Sequence, residues 1–125
     1  MKDARPVFLD LLAIRLPLPA AVSILHRVSG VLLFLASLYL LILLASSFGN
    51  ETEFDQLKWD LGSPIHSTIL WATLSLLSYH FVAGVRHLLM DLHIGESLKA
   101  GRIGSVLVLI VSLVLSVLCG VWIWL

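Results

Sequence analysis

The stretch VSGVLLFLASLYLLILLASSFGN, residues 28–50, runs for 23 positions without an Asp, Glu, Lys or Arg. A helix needs about 20 apolar residues to cross the hydrocarbon core of a bilayer, so this segment is long enough to span one. Outward from it, residues 61–85 and 103–125 are free of the same four residue types over 25 and 23 positions. The whole chain of 125 residues is 59% hydrophobic and 13% charged, with a mean hydropathy of +1.02. A soluble domain of this length has too little interior to hide so much apolar surface, so the solvent is lipid. The expected fold is an all-α membrane protein: one domain over residues 1–125, with three transmembrane helices at about 20–48, 64–91 and 103–125. A short amphipathic segment, residues 10–18, leads in and is interrupted by Pro17 and Pro19; Pro19 suits the first turn of the long helix.

The breaks between spans carry turn chemistry. Gly49-Asn50 opens an acidic loop, Gly62-Ser63-Pro64 starts the second helix, and Gly101-Arg102 precedes the third. Basic residues fix the orientation. Lys2, Arg5, Arg15 and Arg27 precede or open the first span, and Arg86, Lys99 and Arg102 lie between the second and third. The loop between the first two has only Lys58 against Glu51, Glu53, Asp55 and Asp60. The amino terminus and second loop are therefore expected in the cytoplasm, and Leu125 in the periplasm, of a bacterial inner membrane. Zero formal net charge argues against nucleic acid as a partner. The single Cys119 excludes a disulfide framework or a cysteine metal cluster. The opening residues lack the pattern of a signal or transit peptide, and there is no internal repeat or low-complexity tract.

Two polar clusters interrupt the apolar pattern: SILHRVSG at residues 23–30 and SYHFVAGVRHLLMD at residues 78–91. The helices that carry them run antiparallel, so both clusters come to one depth near the cytoplasmic surface. Ser23 and Arg27 share a helix face, as do His26 and Gly30, and His80 and Gly84. A glycine at such a position lets a flat ligand or a neighbouring helix approach the backbone. His80 and His87 share a face but stand about 10 Å apart along the axis, too far to hold one metal ion from the same helix. Ionisable groups inside a span are expensive and point to function, and His80 lies at least a turn inside the boundary set by Arg86. It suits haem axial ligation, and arginine suits haem propionates. The bland alternatives are that Arg27, Arg86 and Asp91 are interfacial anchors and His80 an interhelical hydrogen-bonder. His66 and His93 read as surface residues; Trp59, Trp71, Trp122 and Trp124 read as aromatic-belt residues; Ser75 and Ser78 read as serines bonded back to their own helix.

RPVFLDLLAIRLPLPAAVSILHRVSGV and SYHFVAGVRHLLMD closely resemble the cytochrome b membrane anchors of bacterial succinate dehydrogenase, respiratory complex II. The resemblance spans nearly the whole chain, with Ser-x-x-His-Arg-x-Ser-Gly and His-x-x-x-Gly-x-Arg-His-x-x-x-Asp as its specific motifs. It implies a helical bundle with a second hydrophobic anchor subunit and one b haem between the two chains. His80 would give one axial ligand and the partner the other. Ser23 and Arg27 match residues lining a ubiquinone pocket beneath an iron–sulfur subunit, which a flavoprotein subunit supplies with electrons from succinate. His26, Arg27 and His87 match residues at the haem propionates or edge, with Gly84, Arg86 and Asp91 in supporting positions. Leu16 stands where an aromatic residue near the quinone is usual. The chain has no flavin or dinucleotide motif, so any enzyme activity belongs to the assembled complex and no catalytic residue is expected here. Rival readings are a fumarate reductase anchor, a stand-alone b-type electron carrier with His26 and His80 on one iron, and a structural anchor without haem.

Overall fold

Pro17 and Ser63 and Ser97 each stand in extended backbone immediately before a long helix, and each sets its start. The computed structural model describes residues 16–125, and the lead-in segment at 10–18 lies outside them except for its end. Four helices make up the described chain: α1 Leu18–Ser47, α2 Glu51–Leu61, α3 Pro64–Asp91 and α4 Leu98–Trp124. Three of them, α1, α3 and α4, are long and apolar enough to cross a membrane.

Helix α1 begins where expected, with Pro19 inside the first turn, where its missing N–H costs no hydrogen bond. Helix α3 starts at Pro64, with the Ser63 side chain accepting the backbone N–H of His66. Helix α4 starts five residues before the expected position. The Ser97 hydroxyl accepts the N–H of Ala100 at 3.2 Å, and Gly101 and Arg102 lie in the opening turns of the helix instead of in a turn before it. A charge marks where a span leaves the hydrocarbon, whereas the cap marks where the helix begins, and here these differ.

The acidic stretch at 51–60 is a helix, not a loop. Asn50 accepts the N–H of Glu53 at 3.0 Å, and its own amide donates to the Glu53 carboxylate at 3.2 Å, a reciprocal cap. Glu51 and Glu53 in the first turn and Lys58 in the last complement the helix dipole. Leu57 is the buried residue through which α2 seats on the long helices.

Packing among the spans is what a lipid solvent demands. The large apolar side chains face outward, and small or singly polar residues fill the seams: Ala83, Ser105, Val22 and Val108 are almost fully enclosed. Hydrocarbon gives leucine no reason to hide, so helices associate through close backbone approach and interhelical hydrogen bonds. Trp71 donates its indole N–H to the Ser116 carbonyl at 3.0 Å, and the Ser75 and Ser116 hydroxyls pair at 2.7 Å, tying α3 to α4. Trp71 is therefore an interhelical tie as well as a residue near a span end, and Ser75 bonds across to α4 instead of to its own helix. Ser78 does bond back, to Leu74. Tyr79 ties α3 to α1, its hydroxyl donating to the Val22 carbonyl at 2.8 Å.

Candidate functional site

The antiparallel crossing of α1 and α3 brings the two polar clusters together, as the topology requires. His26 from α1 lies between His80 and His87 of α3. Its ring stacks on His80 with centroids 4.1 Å apart and planes 17° apart, and on His87 at 5.0 Å and 23°. Two glycines make room for this stack. A Cβ on Gly30 would meet the His80 ring at 3.1 Å, and one on Gly84 would meet His26 Nε2 at 3.4 Å. His80 thus rests against Gly30 and His26 against Gly84, each a glycine of the opposite helix, with the closer approach at Gly30.

The hydrogen bonds of His80 assign its tautomer. Its Nδ1 lies 3.1 Å from the His26 carbonyl oxygen and 2.9 Å from Ser29 Oγ. A carbonyl cannot donate, so the hydrogen is on Nδ1. Ser29 commits its own hydrogen to the same His26 carbonyl, at 2.8 Å, and so accepts from His80. Nε2 of His80 is left with an in-plane lone pair, the form that binds a metal ion. The same reasoning applies to His87. Its Nδ1 donates to the Ala83 carbonyl at 2.8 Å, and its Nε2 accepts the hydroxyl hydrogen of Ser23 at 3.2 Å.

The remaining sequence-derived candidates divide. Arg27, one residue beyond His26, is exposed. Arg86 turns away from the histidines, donating to the Gly101 carbonyl at 3.3 Å and packing where Gly104 leaves room. It therefore pins the start of α4. Asp91 is exposed at the last position of α3. At the opposite end, His66 is half-buried, its Nδ1 2.9 Å from the Ser63 hydroxyl and its ring beside Tyr39, so it is not the surface residue expected. His93 is exposed as expected, paired with Glu96 at 2.8 Å. The described residues contain no cluster of three or more His, Cys, Asp or Glu able to hold a metal ion unaided.

Three features escaped the residue pattern. Ser29 closes on His80, Ser23 is joined to His87 across the helix pair, and Tyr79 locks the crossing below them. Ser29 had a legible signal, since it lies one turn after His26 and faces the same partner. The others depend on the rotation of α3 about its axis, which spacing along one helix does not contain.

Comparison with known proteins gives a consistent result. The family model described as succinate dehydrogenase/fumarate reductase transmembrane subunit matches residues 1–119. Among curated proteins, the succinate dehydrogenase cytochrome b556 subunit of Coxiella burnetii is 40% identical, over 99% of this chain and 100% of the relative. The proteins of that name from Rickettsia felis and Paracoccus denitrificans are 32% and 31% identical, over 95% and 91% of this chain and 93% and 88% of their own lengths.

Proposed function

We propose, for a chain that belongs to the succinate dehydrogenase/fumarate reductase transmembrane subunit family, that it binds one b-type haem through His80 and forms part of a ubiquinone-reduction site with Ser23 and Arg27. The observation that carries this reading is the His80 ring, whose Nδ1 hydrogen is already engaged and whose Nε2 lone pair is free for iron. Haem-ligating histidines need that second hydrogen bond to fix tautomer and orientation. The glycine at position 30 adds a close seat that a larger residue would fill. The relatives carry cytochrome b556 in their names, which suits a b-type group. When bound, a b haem would supply a one-electron redox site.

His26 is poorly placed to hold the same haem as His80. A haem held by both rings would have to fit between them. His26 and His80 instead lie face to face, almost parallel and in ring contact, with no space between them for iron and porphyrin. This disfavours the stand-alone carrier and favours a second anchor subunit as the source of the other ligand. An apolar groove of about 490 Å³, lined by Leu25, Val28, Leu32, Leu76 and Tyr79, opens on the α1–α3 face beside Ser29 and is a fitting surface for that subunit.

Quinone reduction needs two electrons, two protons and hydrogen-bond donors for the head group. Ser23 provides a hydroxyl at the boundary turn of α1. That hydroxyl lies 3.2 Å from His87 Nε2, which holds it in place beside the histidine stack. The Arg27 guanidinium would favour negative charge on the reduced head group. Its exposure suits a site completed by an iron–sulfur subunit docked on the cytoplasmic face, with a flavoprotein subunit beyond it. The charge distribution supports a cytoplasmic position for this end. The direction of electron flow, succinate oxidation or fumarate reduction, is set by the quinone potential and the soluble subunits and not by these residues.

The test is a set of three variants in the assembled complex. His80→Leu should abolish or severely alter the low-spin b spectrum. Ser23→Ala and Arg27→Leu should impair ubiquinone reduction while succinate oxidation by an artificial acceptor survives. An unchanged spectrum in the first, or equal loss in both assays for the second pair, contradicts the proposal.

A further inference from the structure

The serines of the long helices mostly satisfy themselves locally. Ser37, Ser46, Ser47, Ser78, Ser105 and Ser112 each donate to a carbonyl three or four residues back on the same helix. Ser29 does the same, donating to His26, but it is the one of this group whose oxygen also receives a hydrogen bond from another helix among the described residues. It is 3% exposed, so water does not compete for that oxygen. A serine kept only for helix packing needs no second partner, whereas this one is committed on both sides.

We propose that Ser29 is a positioning residue for His80, its hydroxyl accepting the Nδ1 hydrogen of that ring while passing its own hydrogen to the His26 carbonyl. The proposal rests on the reading of His80 as a haem ligand. The Nδ1 hydrogen is shared between Ser29 Oγ at 2.9 Å and the His26 carbonyl at 3.1 Å, and the two acceptors are themselves linked at 2.8 Å. This closed triangle fixes the tautomer and also the rotation of the imidazole about its Cβ–Cγ bond, because a rotated ring would lose both acceptors. A ring held so donates more electron density through Nε2, since a hydrogen bond from the remote nitrogen raises ligand basicity. A more basic axial ligand favours the ferric over the ferrous state, and so lowers the haem midpoint potential. The serine hydroxyl is strengthened as an acceptor by its own donation to the carbonyl.

Replacing Ser29 leaves the carbonyl as a lone acceptor, so the ligand is kept but held less firmly. In Ser29→Ala complex, the haem midpoint potential should rise, and loss of haem to an excess of a haem-scavenging apoprotein should accelerate by about tenfold or more. Ser29→Thr retains the hydroxyl and should keep both readouts near those of the unsubstituted complex. Where the alanine variant fails to assemble, Ser29→Cys, similar in size and a poor acceptor, should shift the potential in the same direction. If alanine (or cysteine) leaves both readouts unchanged while His80→Leu still removes the haem, Ser29 has no positioning role and the ligand assignment stands. If threonine shifts the potential as far as alanine does, filling the space matters and the hydroxyl does not, which also overturns the proposal. If His80→Leu retains the full low-spin spectrum, the ligand assignment itself fails.

Discussion

Gly30→Ala and Gly84→Ala are the same chemical change on opposite sides of one histidine stack, and they should have opposite results. In a helix interior, alanine is favoured over glycine by about 0.8–1.0 kcal/mol, and both sites would gain this. At Gly84 the new methyl would stand 3.4 Å from His26 Nε2, an ordinary contact, so the gain should be kept. At Gly30 it would stand 3.1 Å from the His80 ring, which must retreat by a few tenths of an ångström. His80 is not free to retreat, because its Nδ1 is held at 2.9 Å by Ser29 and 3.1 Å by His26. Weakening two hydrogen bonds, each of net worth about 0.5–1.5 kcal/mol, offsets or exceeds the helix gain. Gly84→Ala should therefore be more stable than the parent by about 1 kcal/mol with an unaltered haem spectrum. Gly30→Ala should gain nothing or lose about 1 kcal/mol, with a shifted or broadened spectrum. Unfolding of the purified complex in a graded denaturing detergent, read beside haem absorbance, gives both numbers. If Gly30→Ala is stabilised as much as Gly84→Ala and its spectrum is unchanged, the ring is not pinned as described.

Two further outcomes test other parts of the account. His93 closes the end of α3 with φ of 61°, in the left-handed region, while Ile94 N–H bonds back to the Leu89 carbonyl at 2.9 Å. His93→Gly should stabilise this turn by about 1 kcal/mol, since only its exposed pair with Glu96 is lost, and a destabilised variant would show that the imidazole contributes more than its backbone strain costs. Reporter fusions should place Leu125 in the periplasm and Lys99 in the cytoplasm. Both fusions reporting one side would mean that α4 does not cross, and inversion of both would put the histidine cluster at the wrong face.

The three spans and the meeting of the polar clusters were legible because each depends on a one-dimensional property. Charge-free length marks a span, and antiparallel order brings the start of α1 to the end of α3. Helix α2 was missed because its charges suggested a solvated loop, although Asn50 with Glu53 three residues on is a capping signature. The start of α4 is not marked by Arg102, because a long basic side chain in the opening turns can reach the interface from inside a helix. At the site, sequence spacing put His26, His80, Ser23 and His87 at one depth but could not decide which atoms face each other. That choice lies in the mutual rotation of α1 and α3, set in part by the close seat at Gly30 and the Tyr79–Val22 bond. Arg86 shows the same limit. Its spacing put it beside His87, yet its guanidinium turns to α4.

The central claim is that the free nitrogen of His80 binds haem iron, and ligand replacement tests it directly. His80→Gly opens a cavity where the imidazole stood without adding a new ligand. In the assembled complex this variant should lose the low-spin b spectrum, and added imidazole should restore it in a saturable manner, whereas the same addition to His26→Gly should have no such effect. A low-spin spectrum that survives in His80→Gly without imidazole would contradict the claim, whatever the activity of the complex.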